Sequence, residues 1–248
     1  MSVLIESDSR VGIIGAGGEL GRWMTIQAAS HGADVAVCDT RELVPTDFLD
    51  VTSRLDRIST LTDMRAITIY PDLQEVVKAS EIIHWCAPLE ALGELALAAV
   101  GETKLIMLHS SVMAKSTEAM QQIHERGLGA AIIHCLVNEE RTVVIGDGSD
   151  HDERVTTHFK DIGLRPVSMS TSEHDQLMAR TQAPLALLLP LLPELQARKE
   201  QGLLTPSASV LLSTLAEVKG RWTPLTVRTL LENPHLPTLM DVLGIRPN

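Results

Sequence analysis

Histidine is the side chain whose ordinary pKa, about 6.5, lets it exchange a proton near neutral pH, and this chain carries nine. Position decides which of them could act. His134 follows the apolar run Ala130–Ile133 and stands near the end of a strand pattern, where a side chain can face a ligand at the edge of a sheet. It is the candidate general base. Ser110 and Ser111, in "LHSSVMAK", end another strand pattern and offer hydroxyls next to His109. His174 lies between Glu173 and Asp175 in "SEHDQ". His84 falls inside a strand pattern and reads as structural. His31, His124, His151 and His158 occupy polar helical or loop contexts and read as solvated, and His235, between two prolines, reads as a turn residue.

A second chemical signal is "GAGGELGR", Gly15 to Arg22, between a strand pattern and a helix pattern. Glycines there allow a tight turn and let backbone N–H groups approach a pyrophosphate, whose charge a helix N-terminus favours. The expected cofactor contacts are Gly15, Gly17, Gly18, Glu19, Leu20 and Gly21. A strict GxGxxG frame would need glycine at position 20, where Leu20 stands; moved by one residue, Gly18 and Gly21 fit and Ala16 takes the first place. Asp39 ends the next strand pattern, where a carboxylate accepts hydrogen bonds from the adenosine ribose and repels a 2′-phosphate. The expected cofactor is therefore NAD, with NADP kept open by Arg41. Cys86, Ala87 and Pro88 end the fourth strand pattern, and small residues there would let the backbone border the cofactor. The alternative is a glycine turn in an α/β domain that holds no cofactor.

The elements that must position these residues are legible as alternating patterns. Strand patterns "RVGIIG", "DVAVCD", "AITIY", "EIIHWCA", "KLIMLH", "AAIIHCL", "TVVIG" and "PVSMS" alternate with helical stretches such as "LGRWMTIQAASHG" and "DLQEVVKAS". This predicts an α/β fold, a Rossmann-type doubly wound, mainly parallel sheet over residues 1–170. From residue 171 to 248 the chain turns leucine-rich, helical and proline-punctuated. So short a helical stretch needs a surface to pack on, which predicts a small all-helical domain and a homodimer formed through it. Its first helix is expected to use Ser172 or Thr171 as N-cap, with the acids of "EHD" in its first turn and His174 directed toward the ligand.

Composition narrows the function. With 32 acidic against 21 basic residues, a net charge of -11 and no basic stripe, nucleic acid and anionic membrane are not expected partners. The longest apolar run, Pro184 to Leu192, is about half of what a membrane span needs. Cys38, Cys86 and Cys135 have no metal-ligand or disulfide spacing, so they read as reduced thiols of a cytoplasmic protein, with no metal site expected.

Taken in order and spacing, "GAGGELGR", the "SSV" after the fifth strand, the histidine closing "AAIIH" and "EHDQLMARTQA" resemble the dehydrogenase domain of the prephenate and arogenate dehydrogenases, over most of residues 10–185. The resemblance implies oxidation of a cyclohexadienol carboxylate (prephenate, arogenate or a modified analogue) by NAD or NADP, with loss of carbon dioxide as the ring becomes aromatic, a step of tyrosine and aromatic amino acid biosynthesis. It places His134 on the histidine that takes the ring hydroxyl's proton, Ser111 on the serine that contacts that hydroxyl, and His174 at the hinge into the helical domain, and it implies a dimer. The chain also departs from the pattern. Cys135 stands where the family has proline, the loop after it is shorter, Met113 replaces a lysine, and Leu185 stands where an arginine grips the substrate carboxylate, a part that then falls to Arg180, Arg141 or a residue of a second subunit. Those departures leave two other readings: a dehydrogenase or imine reductase for a different small acid, and a non-catalytic dinucleotide-binding homologue.

Overall fold

The structure, a computed structural model, describes residues 10–44, 48, 67–92, 104–136, 141–147 and 152–242. All eight expected strand patterns form strands: β1 (Val11–Ile14), β2 (Val35–Cys38), β3 (Ile67–Ile69), β4 (Ile82–Trp85), β5 (Leu105–His109), β6 (Gly129–Leu136), β7 (Thr142–Ile145) and β8 (Arg165–Ser168). They make one sheet in the order β3-β2-β1-β4-β5-β6-β7-β8. Every neighbouring pair is parallel except β6–β7. The exception has a simple cause: a parallel return needs a crossover of a dozen or more residues, and only five separate Leu136 from Thr142. β1, β2 and β4 are buried along their whole length, as strands covered on both faces must be.

The helices of this first unit are α1 (Glu19–Ser30), α2 (Leu73–Ala79), α3 (Ala114–His124) and α4 (Asp152–Asp161). Asp72 caps α2 by accepting the Glu75 N–H at 3.0 Å. The main core joins Trp23, Met24 and Ile26 of α1 with Ile13, Val37, Met107 and Ile133 of the sheet and Val155 and Phe159 of α4. Each fully buried side chain of this size contributes about 1.5–3 kcal/mol.

The chain divides into two compact units, residues 1–110 with 115–169 and residues 111–114 with 170–248. The second holds α5 (Thr171–Thr181), α6 (Ala183–Leu188), α7 (Leu192–Glu200), α8 (Pro206–Arg221), α9 (Pro224–Leu231) and α10 (Leu236–Val242). Its prolines act as helix starters. Pro206 and Pro224 occupy the first positions of α8 and α9, where a missing N–H costs nothing, directly after N-caps Thr205 and Thr223 that accept from Ala208 N and Thr226 N. Two apolar clusters hold the unit: Val112, Ala183, Ala186, Leu230 and Leu236, and Leu192, Leu212 and Leu215. Among the described residues, no helix is long and apolar enough to cross a membrane.

Candidate functional site

The glycine loop follows β1 into α1. Gly15 has φ +85°, a left-handed conformation that favours glycine, and a Cβ there would stand 2.8 Å from the Cys86 carbonyl carbon and 2.9 Å from Ala87 N. The end of β1 thus lies against the backbone that follows β4, which is the point where strand order reverses and where doubly wound sheets bind ligands. Cys86 N donates to Ile14 O at 2.9 Å, and Trp85 Nε1 donates to Pro88 O at 3.2 Å, fixing the Cys86–Pro88 turn. At Gly21 a Cβ would collide with the Gly15 carbonyl oxygen and lie 2.8 Å from Ala16 Cα, so Gly21 allows α1 to pack tightly on the loop. Gly18 is the N-cap of α1, without a side-chain cap bond. The positions closed to a side chain are therefore Gly15 and Gly21, with Gly17 crowded by Arg41 Nε and by Asp39 Oδ2 at 2.9 Å, whereas at Gly18 a Cβ would be 3.4 Å from Gly15 O.

Glu19 and Leu20 open α1, and their N–H groups are among the helix-start donors that have no intrahelical partner. A glycine cradle beside an uncapped helix N-terminus fits a dinucleotide pyrophosphate. Asp39, just past β2, points its carboxylate back at the loop: Gly17 N donates to Oδ2 at 2.8 Å, and Arg41 N donates to Oδ1 at 3.1 Å. The acid is thereby oriented beside Gly17. Cys38, buried next to Asp39 and Asp72, has its thiol pushed up to about 12, first by burial and then by those carboxylates, so it is a neutral core residue.

His134 lies on β6, half-buried, paired with Val144 across the antiparallel ladder. The last rung of β5 on β6 is His109 with Ile133, so His134 is the first residue of β6 beyond the C-terminal end of β5. Ser110 N donates to Ile133 O at 2.8 Å, which holds the first serine at that same edge. Ser111 belongs to the second unit. Arg141 precedes β7 with φ +49°, and its carbonyl accepts from Arg165 N at 3.1 Å. The loop residues 137–140, part of the shortened "HCLVNEER" segment, lie outside the described residues.

Three histidines form a chain that the sequence reading did not find. His84 on β4 bridges two others, with Nδ1 2.9 Å from His109 Nε2 and Nε2 2.8 Å from His158 Nε2. Cys135 Sγ, 3.6 Å from His109 Nδ1, extends the series. His158 was expected to be solvated, yet it is buried on α4, because Val155, His158 and Phe159 fall on one helix face. Burial first, and neighbouring imidazoles or Arg154 second, push the three rings down: His84 well below its ordinary value, His109 to about 3 and His158 to about 4. All three are therefore neutral at pH 7, each able to donate through one ring nitrogen and accept through the other. Among the described residues no group of histidine, cysteine and acid side chains converges to hold a metal.

In the second unit Glu173 stands in the first turn of α5, as expected. The N-cap of α5 is Ser170, one or two residues before the expected Thr171 or Ser172, in a reciprocal capping box: Glu173 N donates to Ser170 Oγ at 3.2 Å and Ser170 N to Glu173 Oε2 at 3.1 Å. Asp175 turns inward. Its carboxylate, wholly buried, accepts the N–H groups of Met113 and Ala114 at 2.8 Å each, at the start of α3. His174, expected to face the ligand, is fully enclosed, with Nδ1 2.8 Å from Asp175 Oδ1. Asn233 Nδ2 donates to the Asp175 carbonyl at 2.9 Å, tying α5 to the turn before α10. Arg180 is exposed in the last turn of α5, and Leu185 is half-buried on α6.

No family model matches the sequence, and no curated protein matches it. Solved structures do. A protein of Corynebacterium glutamicum, provisionally described as a prephenate dehydrogenase, superimposes with a TM-score of 0.69 at 16% identity, over 95% of this chain and 78% of that one. The fold is shared. The prephenate dehydrogenase of A. aeolicus, solved with hydroxyphenyl propionate and NAD+, gives a TM-score of 0.64 at 13% identity, over 95% of this chain and 87% of that one. An imine reductase variant of Myxococcus stipitatus solved with NAD+ gives 0.58 at 13% identity, over 95% and 75%. The expected Rossmann-type α/β fold with an all-helical C-terminal part is the fold of these dehydrogenase structures.

Proposed function

We propose that this chain is an NAD-dependent oxidoreductase that oxidises a cyclohexadienol carboxylate of the prephenate or arogenate type, with decarboxylation. The observation that carries the reading is the loop itself: Gly15 against Cys86–Ala87, Gly21 against the Gly15 carbonyl, and the Asp39 carboxylate held at Gly17 N. An acid at that position favours ribose hydroxyls over a 2′-phosphate, hence NAD over NADP. The chemistry such a cofactor supplies when bound is acceptance of a hydride.

The chain's own residues would do the rest. His134, at the edge of β6 beyond β5, accepts the proton of the substrate hydroxyl as hydride leaves the same carbon, the work of a general base. Ser110 and Ser111 offer hydroxyls to the substrate oxygen. Arg141 and Arg180 are the cations available to a carboxylate in place of the arginine that Leu185 displaces. Loss of carbon dioxide needs no separate base, because aromatisation of the ring drives it. The helical unit exposes Val210 (69%) and Leu203 (63%), which supports its pairing with a second copy.

Leu185 favours a second reading, an imine or alcohol oxidoreductase for another small acid, since an apolar side chain replaces the carboxylate grip. Carbon dioxide separates the two. With prephenate or arogenate and NAD, NADH and carbon dioxide are expected to form in equal amounts, and His134→Ala is expected to lower kcat about 10²- to 10⁴-fold. NADH formation without carbon dioxide would favour the second reading. Tight NADH binding with no turnover, unaffected by His134→Ala, would leave a non-catalytic binding protein.

A further inference from the structure

Two arginines reach one backbone oxygen in the glycine loop. Arg22, in the first turns of α1, points back toward the helix start as helical side chains do, and its Nη2 is 3.4 Å from Gly17 O. Arg41, past the end of β2, brings its own Nη2 to 3.4 Å from the same oxygen. Both contacts are longer than the roughly 2.9 Å of an ordinary N–H···O bond, and a carbonyl is neutral, so this oxygen does not balance the Arg22 charge. Arg22 Nε is buried and, among the described residues, has no hydrogen-bond partner. The nearby Asp39 carboxylate is turned to backbone donors, Gly17 N and Arg41 N.

Position sharpens the contrast. A cation near a helix N-terminus faces the positive end of the macrodipole, an unfavourable place for it unless an anion lies between. The N-terminus of α1 has no side-chain cap bond, and its first-turn acid, Glu19, is exposed. Elsewhere the chain is strongly acidic, at -11. A half-buried arginine with an unpaired Nε, an uncapped helix start and a glycine cradle therefore share one requirement, a small polyanion at Gly17–Gly21.

We propose that Arg22 is a phosphate ligand: its guanidinium leaves the Gly17 carbonyl and pairs with the pyrophosphate of the bound dinucleotide, while Asp39 keeps the ribose. This rests on the dinucleotide reading above and adds to it the residue that neutralises the diphosphate charge. Arg41 lies on the adenosine side of the same loop, so the competing assignment for an arginine here is a 2′-phosphate.

The test is calorimetric binding of ADP, adenosine, 2′-AMP and NADH to the wild-type protein and to Arg22→Gln and Arg22→Lys, with melting temperatures recorded in the presence of inorganic pyrophosphate. Arg22→Gln is expected to weaken ADP and NADH by about 10- to 100-fold, the range for loss of a charge-assisted bond, and to leave adenosine unchanged. Arg22→Lys should recover part of the loss. Pyrophosphate should raise the melting temperature of the wild type and not that of Arg22→Gln, a readout independent of turnover. Equal losses on adenosine and ADP, a loss confined to 2′-AMP, or no loss at all would each overturn the assignment. A wild type that binds neither NADH nor ADP would sink the dinucleotide reading itself, which the wild-type arm reports before any variant is compared.

Discussion

Acidification should unfold this protein through its buried histidines. His84 is wholly enclosed and His158 nearly so (7% exposed), and both are held neutral by burial. Their folded pKa values lie below the unfolded value of about 6.5, so as pH falls the unfolded chain binds protons first. Their stabilising contribution is complete above pH 6.5 and is lost as pH drops from there toward about 4, the folded value of His158. At pH 5 His158 has been passed by about 1.5 units of unfolded-state titration, worth about 2 kcal/mol at 1.36 kcal/mol per unit. His84 adds to the loss in the same direction, against the 5–15 kcal/mol typical of a domain. His109, with a folded value of about 3, acts in the same direction. Urea unfolding at pH 7 and pH 5 measures the loss. His158→Gln keeps a polar partner for His84 but cannot titrate, so it should reduce the difference between the two pH values by about 2 kcal/mol. A wild type equally stable at both, or a His158→Gln protein with an undiminished difference, would refute the reasoning.

Two further expectations concern the elements around the site. Asp175→Ala removes both acceptors of the Met113 and Ala114 N–H groups from a fully buried position and should destabilise the protein by about 3 kcal/mol or more, read by denaturant midpoint; a loss under about 1 kcal/mol would show that other partners serve those donors. Gly21→Ala puts a methyl onto the Gly15 carbonyl and should displace the loop, costing about 1–3 kcal/mol and at least about tenfold in NADH affinity, whereas at Gly18 the nearest atom to an added methyl is 3.4 Å away and the change should be milder. NADH fluorescence titration compares the two variants, and equal affinities would contradict the close packing at Gly21.

The pattern of short apolar runs made the eight strands legible, most strongly in β1, β2 and β4, because a strand buried on both faces has to be apolar throughout, and less so in the partly exposed edge strands β3 and β8. The glycine loop was legible for a related reason: few residues tolerate a positive φ or a backbone approach of the kind found at Gly15. Even the antiparallel turn from β6 to β7 follows from the shortness of the segment between them.

The side chains around that frame were less legible. In "SEHDQ" two acids stand in one first turn and look alike, but Glu173 closes a local capping box while Asp175 bonds a segment some sixty residues earlier in the chain. His158 was legible in principle, since its spacing from Val155 and Phe159 places it on the buried face of α4, but a polar neighbourhood masked the period. That His84, His109 and His158 touch could not be read, because they come from β4, β5 and α4 and share no local pattern. The sequence by itself determined what is set by local chemistry: the α/β alternation, the loop that can approach a phosphate, and the break into helices after β8. Only the tertiary structure decided which polar groups meet and which are enclosed, because burial and long-range hydrogen bonding depend on the packing of distant segments.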